Sequence, residues 1–550
     1  MKRVFIWFAV IATILFAIPG YWYSDSIVEL KNELLKLVLG LRDVRVINLR
    51  DNSNISIMRF ETIQSGLLGY SVSSKADVNG DGIADMLIGA YETSNPLNQQ
   101  GAIHLLFGFE QIAATPELQL EEMAISIFGR SENDWFGHSV SIGDDIDGDG
   151  LSEIAIGARF ETVDGKNKTG AAYVIFSSDL PRDPGAFGID DIPHVRLVGE
   201  RGRNEVGYEV FMGGDLDGDS IADLIVRGLM DVPNKSAGVF VVPGSVLRNS
   251  IGQTINLFSA EGIIQISSTE IYEDSGRTIA FLEDFTGDNL PELALGSLDG
   301  TLYYSPDSLH PDRPFLWIVP SELFQPNNET IILLNQPEII RFTVQSGIRY
   351  HLTVASPGDI DQDGLGEMLV GMAPLTDTAG LPGKVALLLG SSMREFEGAM
   401  DLEYDADLLM TGIETGNSVS GDLLGWSLQE GPGDVDGDGI GDLLIGARGS
   451  SLNGRDSGAA FFVSGIEISE LLDSGDKELS LFDIDNVIVI SGEQTHDLFS
   501  SKRRISFSGD TNGDGILDLL IGAPGFNRNG EGSGAAYWIS GQTILDQLSD

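Results

Sequence analysis

A nine-residue acidic loop occurs seven times in this chain, and it constrains the fold more than any other feature. The clearest copy, Asp434 to Asp442, reads DVDGDGIGD and runs straight into LLIGA. Carboxylates fall at loop positions 1, 3, 5 and 9, glycine sits at 6, and an aliphatic residue with a main-chain carbonyl to offer sits at 7. Hard divalent cations the size of Ca²⁺ take roughly six to eight oxygens. Side chains two apart on a tightly turning loop converge on one point, and the glycine admits the positive φ of the bend. The pattern is a calcium recipe.

The other copies begin at Asp77, Asp145, Asp215, Asp284, Asp359 and Asp510, and successive starts lie 68, 70, 69, 75, 75 and 76 residues apart. A single such loop could be a solvated turn on an acidic surface. Seven in register, each followed by a short apolar run, mean a repeat architecture with one unit per loop. Up to seven Ca²⁺ are expected. The candidate ligands are Asp77, Asn79, Asp81, Ile83 and Asp85 in the first loop, then Asp145, Asp147, Asp149, Leu151 and Glu153 in the second. The third offers Asp215, Asp217, Asp219, Ile221 and Asp223, and the fourth Asp284, Thr286, Asp288, Leu290 and Glu292. The fifth offers Asp359, Asp361, Asp363, Leu365 and Glu367, the sixth Asp434, Asp436, Asp438, Ile440 and Asp442, and the seventh Asp510, Asn512, Asp514, Ile516 and Asp518. In each set the Ile or Leu contributes its carbonyl while its side chain plugs into the unit, which would couple metal binding to packing. The Asp284 loop, with Thr286 at position 3, is expected to be the weakest site and the Asp434 loop among the strongest.

Each unit carries four short strand candidates. The first ends in the loop and often starts at a glycine beside an aromatic, as in FGHSVSIGD at Phe136. The second is the apolar run after the loop, the third begins at a glycine, as in GAAYVIFS at Gly170, and the fourth is a run such as VRLVGE at Val195. Four strands per repeat of this length predict an all-β fold, a β-propeller of seven blades. After the third strand of the last unit only QTILDQLSD remains, while an unpaired candidate, Ile55 to Glu61, stands before the first unit. That N-terminal segment is expected to supply the outer strand of the seventh blade and remove an open edge. In the fourth unit Trp317 reads as core of the third strand, beyond an insert that begins near Leu298.

The formal charge of −50, from 83 acidic and 33 basic residues, disfavours nucleic acid and anionic membrane as partners. With no cysteine, disulfides and thiolate metal sites are ruled out. Lys2 and Arg3 precede an apolar run from Val4 to Ile18, which reads as a signal peptide or an N-terminal membrane anchor within residues 1–23. Residues 24–53 then read as an amphipathic helix, Ile27 to Leu41, with a polar linker over 42–53, and 54–550 as the propeller. The body is expected outside the cytoplasm, extracellular or on a cell surface.

The aromatic-glycine strand, the DxDxDGxxD loop and the GA or GAP strand end, fullest at Gly522-Ala523-Pro524, resemble the FG-GAP repeat of integrin α-subunit propellers and bacterial surface proteins. The resemblance covers roughly residues 54 to 545. It implies calcium loops on one face and a binding face opposite, made by the connectors after second and fourth strands, where a protein or glycan ligand would sit. The chain ends just after the last blade, so pairing with an integrin β subunit is not carried over. Arg130, Arg159, Lys166, Lys168, Arg201, Arg203, Lys235, Arg448, Arg455 and Arg528 fall in those connectors. Either they make that face an acceptor for carboxylate-bearing peptides or acidic glycans, or they simply populate exposed loops. The six histidines show no metal-ligand spacing, with His104 and His138 inside strand patterns, and there is no GxSxG elbow. The leading expectation is an adhesion or ligand-binding module without catalysis. The alternative is a calcium-dependent carbohydrate-binding protein or a polysaccharide-active, lyase-like enzyme.

Overall fold

The apolar run after each acidic loop is buried on both faces, as a strand sandwiched between two neighbouring sheets must be. Ile154–Ala158 and Leu443–Ala447 are examples in which all residues are buried. The computed structural model of the chain describes residues 45–549 except 50–56, 63–64, 96–97, 110–116, 232–235, 268–273, 299–315, 325–329, 334–335, 345–347, 349, 376–380, 394–398, 413–420, 430, 501–504 and 531. Seven five-stranded sheets are present, one for each acidic loop, so the fold is the expected seven-bladed propeller.

Blade two shows the pattern. Phe136–Ile142 lies innermost, Ile154–Ala158 and Ala171–Ile175 follow, and Val195–Val198 comes fourth, all antiparallel. A fifth strand, Thr254–Asn256, pairs in parallel outside it and comes from the next repeat, between that repeat's third and fourth strands. The sequence reading of four strands per blade misses this one. The same stitch joins Gly185–Gly188 to blade one, Thr330–Ile332 to blade three, Ala399–Asp401 to blade four, Glu478–Ser480 to blade five and Glu117–Gln119 to blade seven.

Closure follows the expectation and goes further. Ile57–Glu61 pairs antiparallel with Ala535–Ile539 of the last blade, from Ile57 opposite Ile539 to Phe60 opposite Ala536. Buried Arg59 bridges to Glu61 at 2.5 Å and to Glu493, which follows the fourth strand of blade six. Arg45–Asn48 is a strand too, paired in parallel with Ile488–Ser491 of blade six. This corrects the reading of 42–53 as linker. The N-terminal segment thus supplies two strands, one to each of two adjacent blades. After the last strand the chain ends in a helix, Gly541–Ser549. The apolar run at the N-terminus, the amphipathic helix and most of the fourth-blade insert lie outside the described residues. Among the described residues no helix is long and apolar enough to cross a membrane.

The core lies between blades. One apolar cluster joins Ala155, Val174 and Leu197 of blade two to Val210, Leu224 and Phe240 of blade three. The recurrent glycines let the inner strands approach. Gly137 has φ 82°, and its carbonyl accepts a hydrogen bond from Ser71 Oγ at 3.0 Å. A Cβ on Gly89 would sit 2.3 Å from that same carbonyl oxygen, so strand two of blade one must carry glycine there. Trp317 is fully buried in Leu316–Val319, as expected of a core residue. His104 is buried with Nδ1 at 2.9 Å from Ser126 Oγ, and burial lowers its pKa to about 4, which fits the structural role.

Candidate metal loops and the opposite face

Each acidic loop connects the first and second strands of its blade, and its own side chains fold it. The position 5 carboxylate accepts from the position 7 N–H in every loop, for example Asp149 from Leu151 at 2.8 Å and Asp438 from Ile440 at 2.8 Å. The position 1 carboxylate accepts from the position 6 N–H, as Asp145 does from Gly150 at 2.8 Å and Asp434 from Gly439 at 2.9 Å. These local bonds shape a turn and leave further carboxylate oxygens pointing inward.

Five loops gather acids so that one oxygen of each lies within 4.8 Å of the others. Asp145, Asp147, Asp149 and Glu153 form a set of four, as do Asp359, Asp361, Asp363 and Glu367. Asp215, Asp217 and Asp223, Asp284, Asp288 and Glu292, and Asp434, Asp436 and Asp442 form sets of three. Asp219 and Asp438 stand outside their sets, and the Asp434 loop, the fullest by sequence, gathers three carboxylates.

The loops at Asp77 and Asp510 form no such set among the described residues. There the position 3 side chain is an amide. Asn79 Nδ2 donates to Asp81 at 2.9 Å, and Asn512 Nδ2 donates to Asp514 at 2.9 Å. Asp85 and Asp518 complete these loops, held as the other position 9 acids are.

The position 9 acids are fully buried, and each accepts from the N–H at position 2 of its loop, as Glu153 does from Ile146 at 2.6 Å and Asp442 from Val435 at 2.7 Å. In the aspartate versions the second oxygen is also used. Asp85, Asp223, Asp442 and Asp518 accept from Gly108, Gly244, Gly465 and Gly541 at 2.8, 3.1, 2.9 and 3.0 Å, at the turn after the third strand. In two glutamate versions it is not. Glu153 Oε1 and Glu367 Oε1 are buried without a hydrogen-bond partner, and so is Asp284 Oδ1. Burial raises all seven position 9 acids, Asp518 to about 6, Asp85 and Glu292 to about 7, and Glu153, Asp223, Glu367 and Asp442 to about 8, with neighbouring loop carboxylates adding to the rise. An orphaned, desolvated carboxylate oxygen among two or three others is the arrangement a hard cation satisfies. The donor sets fit a divalent metal.

At position 7, Leu365 and Ile440 are buried and the other five residues half-buried. A Cβ on Gly244 would lie 2.4 Å from Ile221 Cγ2, so this side chain fills the turn after the third strand. The loops also touch one another. Ser152 N donates to Asp77 O at 3.2 Å, Ala84 N to Asp510 O at 3.0 Å and Gly366 N to Asp284 O at 3.3 Å.

On the opposite face the inner strands begin with large side chains in matching register. Tyr70, His138, Tyr208 and Trp426 each precede the residue that pairs with the fourth residue of the apolar run in strand two, which is Gly89, Gly157, Arg227 and Gly446 in turn. Rings pack on rings, with Tyr70 and Tyr91 at 4.3 Å and Trp135 and Phe160 at 4.2 Å. Most of the connector cations have partners. Arg130 meets Asp190 at 3.0 Å, Arg159 meets Glu205 at 2.7 Å, Arg455 meets Asp456 at 3.4 Å and Arg528 meets Glu61 at 4.0 Å. Lys166 donates to Glu200 O at 2.7 Å, and Arg201 lies 3.8 Å from the Glu200 carboxylate. Arg203 is exposed, Lys168 sits over the Phe160 ring at 3.8 Å and Arg448 over Trp426 at 4.7 Å. Lys235 lies outside the described residues. The ring of aromatics at one register was missed in the sequence, although the aromatic after each first-strand glycine was visible there.

A family model described as FG-GAP repeat matches residues 68–106, 136–175 and 505–537, which fall in blades one, two and seven. Integrin alpha-5 of Xenopus laevis is 35% identical over 167 residues, 29% of this chain and 14% of the relative. Integrin alpha-3 of Cricetulus griseus is 34% identical over 179 residues, 31% of this chain and 15% of the relative. Phosphatidylinositol-glycan-specific phospholipase D of Bos taurus is 29% identical over 161 residues, 29% of this chain and 18% of the relative. The chain carries FG-GAP repeats and is similar to integrin α chains over a stretch that spans less than a fifth of each relative's length.

Proposed function

We propose that this integrin α-like propeller of FG-GAP repeats is a calcium-stabilised, exported adhesion or ligand-binding module. The observation that carries the metal half is the pair of buried, unpartnered glutamate oxygens, Glu153 Oε1 and Glu367 Oε1, each set among three further carboxylates. Asp145, Asp147, Asp149 and Glu153, and Asp359, Asp361, Asp363 and Glu367, would hold the ions most fully. The sets at Asp215, Asp284 and Asp434 would hold them with three acids each. Bound Ca²⁺ supplies positive charge that cancels the repulsion among the loop acids. The chain's own part is to fix the loop backbone through the position 1, 3 and 5 carboxylates and to keep position 9 dry.

Similarity to integrin α chains favours a protein ligand over a glycan, and the connector face, away from the acidic loops, is where it would dock. The apolar run within residues 1–23 serves in this reading as export signal or anchor, which places the propeller outside the cytoplasm. The test has two arms. Chelation should lower the melting temperature of the intact chain, because an ion held only by the folded state stabilises it by about 2.7 kcal/mol at a hundredfold excess over its Kd. The calcium-loaded chain should also capture a ligand from an arrayed set of extracellular proteins without altering it. Turnover of an arrayed polysaccharide would instead favour the enzyme.

A further inference from the structure

Two arginines occupy the same place in two blades. Ile154–Ala158 and Leu443–Ala447 both end in Gly-Ala, and the next residue is Arg159 in blade two and Arg448 in blade six. Both guanidinium groups lie over aromatic rings of the connector face, Arg159 over Tyr208 at 4.2 Å and Arg448 over Trp426 at 4.7 Å. Their polar partners differ. Arg159 Nε and Nη2 both donate to Glu205, at 2.9 and 2.7 Å. Arg448 makes no hydrogen bond or ion pair among the described residues. The carboxylate that acts on it most, Asp456, lies against Arg455 at 3.4 Å and His496 at 3.8 Å instead. Arg448 is nevertheless half-buried, and burial works against its charge.

A desolvated guanidinium with no acid beside it is costly unless an anion arrives from outside. An arginine pinned on a ring is also preorganised, so little conformational entropy is lost when a carboxylate binds its donors in pairs. From this contrast we propose that Arg448, seated on Trp426, is the receptor for a carboxylate carried by an aspartate or glutamate side chain of a protein ligand. The inference rests on the reading of the connector face as the ligand face.

The surroundings favour a slender acidic side chain over a sugar acid. Trp426 is already covered by His351, at 4.4 Å, as well as by Arg448. A pyranose would need an open ring face to lie on.

The test uses the full chain, calcium-loaded, on an array of capped hexapeptides in which each Asp or Glu peptide is matched by its Asn or Gln counterpart, with glucuronate-bearing oligosaccharides on the same surface. Acidic peptides should be retained about tenfold or more over their amide counterparts. Arg448→Gln should erase that preference and Arg448→Lys restore part of it, with the melting temperature not lowered and the calcium stoichiometry unchanged in both. Arg159→Gln serves as the matched variant whose native acid partner is internal, and it should leave the preference intact. Retention of acidic peptides unaffected by Arg448→Gln would overturn the proposal while leaving the ligand-face reading standing. Retention of glucuronate sugars alone, lost in Arg448→Gln, would overturn the choice of a peptide acid. Capture of neither class by the wild-type chain would bring down the ligand-face reading together with the proposal.

Discussion

At the scale of single residues, loop position 9 decides what each loop can do. An aspartate there spends both oxygens on backbone N–H groups, as Asp442 does with Val435 and Gly465. The extra methylene of Glu153 and Glu367 keeps the position 2 bond and leaves the other oxygen buried without a hydrogen bond, in a residue that belongs to a set of four gathered acids. This difference was not legible in the sequence, where Asp and Glu at position 9 look equivalent and the all-aspartate loop at Asp434 looks strongest. The Asn at position 3 of two loops was legible as a residue. Its consequence was not, because only the folded loop shows its amide N–H₂ donating to the carboxylate at position 5.

The same acids predict a pH dependence. Their folded pKa values, about 6 to 8, lie above the ordinary carboxylate range, so the folded state holds protons that the unfolded state has released. Their contribution is intact below the ordinary range and is lost as pH rises through the folded values. In chelator, the melting temperature should therefore fall between about pH 5 and about pH 8. Millimolar calcium, which favours the ionised form, should remove that fall. A chelated protein whose melting temperature rises across the same interval would show that these acids are not held protonated by burial.

At the scale of elements, the strand order within a blade was readable because loop, apolar run and glycine recur at fixed intervals. The fifth strands were not, because stretches such as Thr254–Asn256 and Glu478–Ser480 are short, polar and half-exposed, and they pair with a neighbouring repeat. The glycines of the inner strands have a steric account. Gly137 combines a φ of 82° with a position where a Cβ would lie 2.3 Å from Ala102 O. Gly137→Ala should cost about 1–3 kcal/mol through strain and forced separation of blades one and two. Denaturant titration measures this, and an unchanged midpoint would mean that the blades are not interlocked there.

At the scale of the whole molecule, the ring closes through the N-terminal segment. Expectation placed one strand there, in the last blade, and the structure has two. Arg45–Asn48 escaped notice because four residues flanked by charged and polar sequence carry too little apolar pattern to read as a strand. Deletion of residues 1–62 should leave blade seven without its fourth strand and blade six without its outer one, exposing the edge of Ala535–Ile539. The shortened chain should associate or fail to fold, and a synthetic peptide spanning residues 45–62 should restore a monomeric, cooperative melt. A truncated chain that is monomeric and as stable as the full one would refute closure by this segment.

Above all, we propose that the acidic loops are cation cages that stabilise the ring. Calorimetric titration of calcium into the chelator-stripped full chain, with melting temperature followed in parallel, tests that most directly. The account predicts five ions per chain, one for each gathered acid set, with the melting temperature rising as they bind and two ions lost in the Glu153→Gln, Glu367→Gln double variant. An absence of binding at millimolar calcium, with a melting curve that does not move, would contradict it.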